Sequence, residues 1–97
     1  MERVKKLSET IVKHSLQVKK GDKVLITYQS NECNYFIKTL IKEILVQGGI
    51  PTVKYLDPEF ENLIKENLND DIIANKKNIF EFEVGEYDCF IQIRYTT

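Results

Sequence analysis

The stretch KVLITY, Lys23–Tyr28, constrains the fold of this 97-residue chain most strongly because it is a continuous apolar run between turn residues. Runs of this kind are typical of strands that are buried on both faces of a parallel sheet. Two later stretches have the same character: PTVKYL at 51–56 and CFIQIRY at 89–95. The sequence therefore predicts three strands of one parallel sheet.

Helical periodicity flanks and separates the first two strands. A 3,4,3,4 spacing before the first strand predicts a helix that Gly21 ends, with a stripe of Val4, Leu7, Ile11, His14 and Val18. Ser30 or Asn31 can cap a second helix, which Gly48 and Gly49 end. Its predicted apolar stripe consists of Cys33, Ile37, Leu40, Ile41, Ile44 and Leu45.

The segment between the second and third strands is also predicted to be helical. Asp57 and Pro58 combine a capping side chain with a proline suited to the first helical position. The expected buried stripe of this third helix is Phe60, Leu63, Ile64 and Leu68. For residues 69–88 we favour helix, with Asp70 and Asp71 as the cap. The alternatives are a strand, since Phe80, Phe82 and Val84 alternate, or a shorter helix from Asn78 to Gly85.

The resulting order is a helix followed by βαβαβ, which predicts an α/β fold. We expect a three-layer, mostly parallel and doubly wound sheet with strand order 2-1-3, in a single domain at 1–97. Three strands alone would leave wide unpaired edges. We therefore expect a truncated domain that forms the amino-terminal part of a longer enzyme.

Charge and hydropathy narrow the possible partners. The 14 basic and 15 acidic residues leave a net charge of -1, so the whole chain has no electrostatic footprint for nucleic acid. The sequence contains neither the apolar core of a signal peptide nor a stretch long enough to span a bilayer. We expect a cytoplasmic protein that binds neither nucleic acid nor membranes.

The side chains that could carry chemistry have simpler structural interpretations. Cys33 and Cys89 lack the spacing of a zinc site and are expected to be reduced interior residues. The only histidine, His14, lies on the predicted apolar stripe, where a half-buried or interface position is expected. The acidic residues Asp57, Glu59, Glu61, Asp70 and Asp71 fit two helix starts better than a metal site. We therefore predict no catalytic, cofactor-binding or metal-binding residue in this chain.

The loop after the first strand, TYQSNECNYF, contains no glycine and so lacks a dinucleotide-binding motif. An alternative remains open, namely a free-standing ligand- or partner-binding module at the carboxyl ends of the strands. Its site would include Tyr28, Gln29, Ser30 and Tyr95. A weaker alternative is an interaction module that pairs through an exposed sheet edge.

Three segments together resemble the amino-terminal part of the M29 family of metallo-aminopeptidases, which includes the aminopeptidase T and aminopeptidase S types. They are LSETIVKHSLQVKKGDKVLITY, LIKEILVQGGIPTVKYLDPE and EFEVGEYDCFIQIRYTT. The resemblance covers essentially the whole chain in consistent order. It rests on the order of several short segments taken together, and no single diagnostic motif carries it.

The resemblance implies a cytoplasmic, metal-dependent exopeptidase that removes amino-terminal residues such as leucine from peptides. In that family two divalent ions, zinc or cobalt, are held by Glu, His, Asp and Tyr side chains of the carboxy-terminal domain, and no position here corresponds to those ligands. The parent would be an enzyme and a homodimer enclosing a cavity. This segment alone would be inactive and would serve as scaffold and cavity wall.

Overall fold

The computed structural model describes residues 2–94, and they form helices on both faces of a small sheet. The elements in chain order are α1 (Glu2–Thr10) with a π-helical turn (Ile11–Ser15), β1 (Lys23–Tyr28), a 3-10 turn (Asn31–Cys33), α2 (Asn34–Val46), β2 (Ile50–Tyr55), α3 (Pro58–Glu66), α4 (Asp70–Glu86) and β3 (Cys89–Ile93). The predicted alternation is confirmed, with two helices between β2 and β3.

The sheet is parallel throughout and has the order β2-β1-β3, as predicted. In the centre of the sheet Ile26 of β1 lies opposite Val53 of β2 and Ile91 of β3. A parallel neighbour requires a crossover connection, and here α2 supplies one crossover while α3 and α4 supply the other. The predicted α/β class is therefore confirmed.

The hydrophobic core lies between one face of the sheet and the helices α1 and α2. Val24 and Ile26 of β1 are fully buried there against Leu40 and Ile44 of α2 and against Val12. The predicted stripe of α2 is confirmed at its centre, since Ile37 is buried as well. It is wrong at its end, where Leu45 is exposed.

The predicted stripe of the first helix is confirmed at Val18, which is buried, and at Ile11, which packs against the core, but it is wrong at Leu7 and His14. The structure buries Ser8 and Val12, whereas Leu7 and His14 are exposed. The turn at Ile11–Ser15, which contains His14, is widened, because the Leu16 amide donates to the carbonyl oxygen of Ile11 at 2.9 Å, five residues back.

The first helix also ends earlier than predicted. Gln17 adopts a left-handed backbone conformation, with φ of 52°, and the Val18 amide donates to the Val12 carbonyl oxygen at 3.0 Å. This bond reaches six residues back, one more than the bond of a Schellman helix end, because the π-helical turn inserts an extra residue. Gly21 instead occupies the turn before β1, where its φ of 87° suits glycine.

The last turns of α4 lie over the opposite face of the sheet and form the third layer. Successive strand residues point to opposite faces, so Thr52 and Lys54 face away from α2. On that side the Lys54 Nζ lies 3.0 Å from the Glu83 Oε1. Phe82 also lines a cavity of about 300 Å³ together with Ile50 and Thr52.

The predicted buried stripe of the third helix is wrong, because α3 has no covering element among the described residues. All four of its members are exposed: Phe60, Leu63, Ile64 and Leu68. Residues 70–86 form one continuous helix, as favoured, and Asn78 lies in its interior. The cap of this helix is Asn69, whose Oδ1 accepts a hydrogen bond from the Ile72 amide at 2.9 Å, so Asp70 and Asp71 occupy the first turn.

The third strand was predicted for residues 89–95, and the described strand is Cys89–Ile93. The predicted site residue Tyr95 lies outside the described residues. Within residues 2–94, every helix is too short or too polar to cross a bilayer.

Candidate functional site

At the carboxyl ends of β1 and β2, the predicted site residue Tyr28 lies beside a second tyrosine, Tyr55. The ring centroids of Tyr28 and Tyr55 lie 4.9 Å apart, with their planes tilted by 38°. Gln29 and Ser30 follow Tyr28 and are partly exposed. The sequence placed Tyr28, Gln29 and Ser30 at this end of the sheet, and the structure does bring them there.

The helix start after β1 uses its amides for capping. The Ser30 Oγ accepts a hydrogen bond from the Glu32 amide at 3.2 Å, and the Cys33 amide donates to the Ser30 carbonyl oxygen at 3.2 Å. These two amides are therefore already bonded and are not available to an anion. The prediction that Ser30 caps this turn is confirmed, and Asn31 is the first residue of the turn.

The acidic residues after β2 lie at two helix starts. The Asp57 Oδ1 accepts a hydrogen bond from the Glu59 amide at 2.9 Å, which confirms the predicted cap of α3. Glu61 shares that first turn, and Asp70 and Asp71 lie in the first turn of α4. Negative charge at these positions interacts favourably with the helix dipole.

The side chains of the described residues do not fit a metal centre. Among residues 2–94, no three His, Cys, Asp or Glu side chains are grouped closely enough to hold a metal ion. His14 is exposed on the π-helical turn, so the half-buried position is wrong, and the interface position stays a prediction. The two divalent ions that the resemblance implies would have to be held by residues outside this part of the chain.

The two cysteines are free thiols and each is partly exposed. Burial raises the pKa of the Cys89 thiol above its ordinary value, and the nearby carboxylates of Asp22 and Asp88 add to this shift. Asp88 is held in place because its Oδ2 accepts a hydrogen bond from the Lys23 amide at 2.9 Å. At neutral pH the Cys89 thiol is therefore protonated and is a poor nucleophile.

The outer edge of β2 is partly blocked by a proline. The amides of Ile50 and Leu56 donate to carbonyl oxygens of Asp22 and Tyr28, each at 2.7 Å. Because amides two residues apart in a parallel strand face the same neighbour, the amides of residues 50, 52, 54 and 56 face β1. The nitrogen of Pro51 therefore faces the outer edge, where it has no hydrogen to donate. Proline at such a position discourages the addition of another strand.

The outer edge of β3 has no such protection. The Asp88 amide donates to the Lys23 carbonyl oxygen at 2.8 Å, so the amides of Phe90 and Gln92 face β1 in the same way. The amides of Cys89, Ile91 and Ile93 then face outward. Sequence reasoning predicted unpaired edges in general, but it did not identify β3 as the open one. The signal was Pro51 together with the strand register.

A second unpaired feature is an apolar surface that we call the α3–α4 surface. It consists of exposed apolar side chains of these two helices and the turn between them, without Phe82, which lies on the side of α4 that faces the sheet: Phe60, Leu63, Ile64, Leu68, Ile72, Ile73, Ile79, Phe80 and Val84. Large apolar side chains exposed in such number on two adjacent helices are typical of an interaction site. Sequence reasoning missed this surface because it assumed that the stripe of α3 is buried within the domain.

No protein-family model matches the sequence, and no curated protein matches it either. The structure defines the class of the protein as a small α/β domain with a parallel sheet, and within residues 2–94 one sheet edge is open and one pair of helices is uncovered. The M29 resemblance stays a prediction.

Proposed function

We propose that this chain is the amino-terminal scaffold domain of a metal-dependent aminopeptidase of the leucyl type. In this proposal the domain forms part of the wall of the cavity through which peptides reach the active site. The segment itself contributes no catalytic residue. The resemblance of three segments of the chain to the M29 family leads to the proposal, and the α/β order of the elements is compatible with it.

The observation that carries the proposal is the contrast between the two sheet edges. Pro51 discourages pairing at the outer edge of β2, whereas three amides of β3 face outward. The outward amides of an unprotected sheet edge can pair with another strand, and in this proposal further polypeptide supplies that strand. In this proposal, the polypeptide that supplies the strand joins this domain to the catalytic domain.

The catalytic chemistry in this proposal belongs to the missing carboxy-terminal domain. Two divalent ions such as zinc or cobalt would activate a water molecule and polarise the scissile carbonyl group of the peptide. The described residues offer no grouping of ligands for such ions. The full enzyme is proposed to be a cytoplasmic homodimer that acts on peptides.

The test compares residues 1–97 with the longest product of the same reading frame. Both proteins are stripped of metal with a chelator, supplied with zinc or cobalt, and assayed for release of leucine from a leucyl amide substrate. We expect leucine release only from the longer product, and only after metal is added back.

Leucine release by residues 1–97 alone would contradict the proposal. So would a longer product that is inactive with either metal, or a reading frame that ends at Thr97. In the last two cases the ligand- or partner-binding module becomes the better interpretation.

A further inference from the structure

The charges of this chain are strongly segregated, although the whole chain is nearly neutral. Residues 57–88 contain ten Asp and Glu residues and three Lys residues, which gives this segment a net charge of -7. The rest of the chain has five acidic and eleven basic residues, a net charge of +6. The acidic segment is the one that contains α3 and α4, so strong negative charge surrounds the α3–α4 surface.

Most of this negative charge is not neutralised within the domain. The ion pairs among residues 2–94 are Lys54 with Glu83 at 3.0 Å and Lys23 with Glu86 at 3.9 Å. Both tie the last turns of α4 to the sheet. The remaining acidic residues of the two helices are Glu59, Glu61, Glu66, Asp70, Asp71 and Glu81. Their only oppositely charged neighbours in the sequence of these helices are Lys65, Lys76 and Lys77.

The apolar part of the surface has the shape that receives a helix. Ile73, Phe80 and Val84 are spaced i, i+7 and i+11, so they lie on one line along α4, and Phe80 is 64% exposed. Beside them an open cleft of about 460 Å³ runs between α3 and α4. The side chains that line it are Leu63, Ile64, Asn67, Ile72 and Lys76. An apolar furrow between two helices is a common docking site for an amphipathic helix.

We infer that the α3–α4 surface binds a lysine- or arginine-rich amphipathic helix of another polypeptide segment. The apolar side of that helix would fill the furrow between α3 and α4, and its basic residues would face the acidic rim. This inference rests on the proposed scaffold role, because it describes the surface through which the scaffold holds its partner. Nucleic acid is disfavoured here, since its phosphates would meet the same carboxylates.

The basic half of the same chain cannot cover this surface. The helices α1 and α2 pack on the face of the sheet formed by Val24 and Ile26, whereas α4 lies on the opposite face beside Lys54. A second copy could bring its basic face to the acidic one only in a head-to-tail contact. Such contacts leave an unpaired surface at each end and tend to propagate. A helix from a different polypeptide segment would cover the surface without forming such an open-ended assembly.

The test uses synthetic peptides as probes of the 97-residue chain. The probe is a fluorescent peptide of leucine and lysine of about 18 residues, five helical turns, with leucines at helical spacing. Two controls are a scrambled peptide of the same composition and a peptide in which glutamate replaces lysine. Binding is followed by fluorescence anisotropy at low and high salt. We expect saturable binding of the leucine–lysine helix that weakens as salt is added, and no binding of either control.

Matched variants locate the binding site. Phe80→Ser should weaken binding of the leucine–lysine peptide about tenfold, as expected for an aromatic anchor, and Glu81→Lys should weaken it about threefold. The controls Val46→Ser and Glu32→Lys change exposed residues outside α3 and α4 and should leave the affinity unchanged. Val46 is 72% exposed, so this control removes a comparably exposed apolar side chain. Circular dichroism checks that every variant keeps its helix content.

Three outcomes would overturn the inference. They are equal binding of the glutamate peptide, equal binding by Phe80→Ser and wild type, or absence of saturable binding. Sedimentation of the chain without peptide tests whether a second copy covers the surface instead. If the chain forms a dimer and Phe80→Ser dissociates it, the surface binds a second copy. If the chain binds the peptide but the longer product has no aminopeptidase activity, the proposed function is rejected and the proposed helix-binding surface is retained. If the longer product is an active aminopeptidase but the chain does not bind the peptide, only the proposed helix-binding surface is rejected.

Discussion

Gly49 lies so close to Val18 that a β-carbon at position 49 would be only 2.8 Å from the Val18 Cγ1. The same β-carbon would be 2.8 Å from the Ile44 Cγ2. Val18 and Ile44 belong to the buried core, so the turn between α2 and β2 is packed directly against it. The Gly49 amide also donates to the Ile44 carbonyl oxygen at 2.9 Å, which fixes the turn in this position. The close packing here has a direct consequence for substitution.

We expect Gly49→Ala to lower the free energy of unfolding by about 1–3 kcal/mol, because the added methyl group overpacks the core. The matched control is Gly85→Ala in α4, where a β-carbon would meet no atom within 4 Å. Alanine is the better helix former, so this control should stabilise the helix by up to about 1 kcal/mol. Urea unfolding measures both changes. Equal effects of the two substitutions would contradict the packing at Gly49.

The buried hydroxyl of Ser8 gives a second prediction. Thr39 Oγ1 donates its hydrogen to the Phe36 carbonyl oxygen at 2.7 Å, so in the 2.6 Å contact between Ser8 Oγ and Thr39 Oγ1 the donor is Ser8. Ser8→Ala should therefore lower the free energy of unfolding by about 1 kcal/mol, the contribution of one hydrogen bond. Ser15→Ala, at an exposed serine, should have no measurable effect in the same unfolding experiment. A neutral Ser8→Ala would show that this bond does not hold α1 to α2.

The start of α4 can be tested at two asparagines. Because the Asn69 side chain bonds to the Ile72 amide, Asn69→Ala should destabilise α4 locally by about 1 kcal/mol. Asn78→Ala should slightly stabilise it, since alanine is the better residue inside a helix. Amide exchange along residues 70–86 is the appropriate measurement, because α4 can open without unfolding the core. If Asn78→Ala instead accelerates exchange, the helix begins at Asn78 and not at Asn69.

The raised pKa of the Cys89 thiol predicts how stability depends on pH. The folded state keeps its proton at pH values where the unfolded chain has lost it, so stability is full below the unfolded pKa. It falls as the pH rises through the folded pKa, in alkaline solution above the ordinary thiol value of 9.0. Urea unfolding at pH 8 and pH 10 should show a larger loss for the wild type than for Cys89→Ala. The comparison with the variant removes the contributions of the lysines and tyrosines, which titrate in both proteins.

An equal loss of stability in the two proteins between these pH values would show that Cys89 is not linked to folding. A smaller loss in the wild type would reverse the sign of the pKa shift. A separate readout is alkylation, in which Cys89 should react more slowly at pH 8 than a free cysteine derivative does.

The sheet was predictable because its signals are local and consistent. KVLITY is a short apolar run rich in β-branched residues, which favours a buried strand, and Gly21 before it marks the turn. The stripe of α2 was predictable for the same reason, since Ile37, Leu40 and Ile44 keep helical spacing without a break. The caps at Ser30 and Asp57 depend on neighbouring residues alone.

The features that escaped prediction depend on backbone irregularity or on surroundings. The π-helical turn at Ile11–Ser15 widens the end of the first helix, and the spacing of its apolar residues gives no warning of this. Exposure of Phe60 and Leu63 follows from the absence of a covering element among residues 2–94, which periodicity cannot reveal. The cluster of ten acidic residues in 57–88 was visible in the sequence, but the net charge of the whole chain concealed it.

The most direct test of the scaffold role is amide hydrogen exchange at β3, resolved to single residues. In residues 1–97 alone, we expect the outward amides of Cys89, Ile91 and Ile93 to exchange at least about tenfold faster than the inward amides of Phe90 and Gln92. In the longest product of the same reading frame, we expect the three outward amides to become protected as well, because a further strand pairs with them. Outward amides that exchange equally fast in both proteins would contradict the role, since the edge of β3 would then remain open in the complete protein.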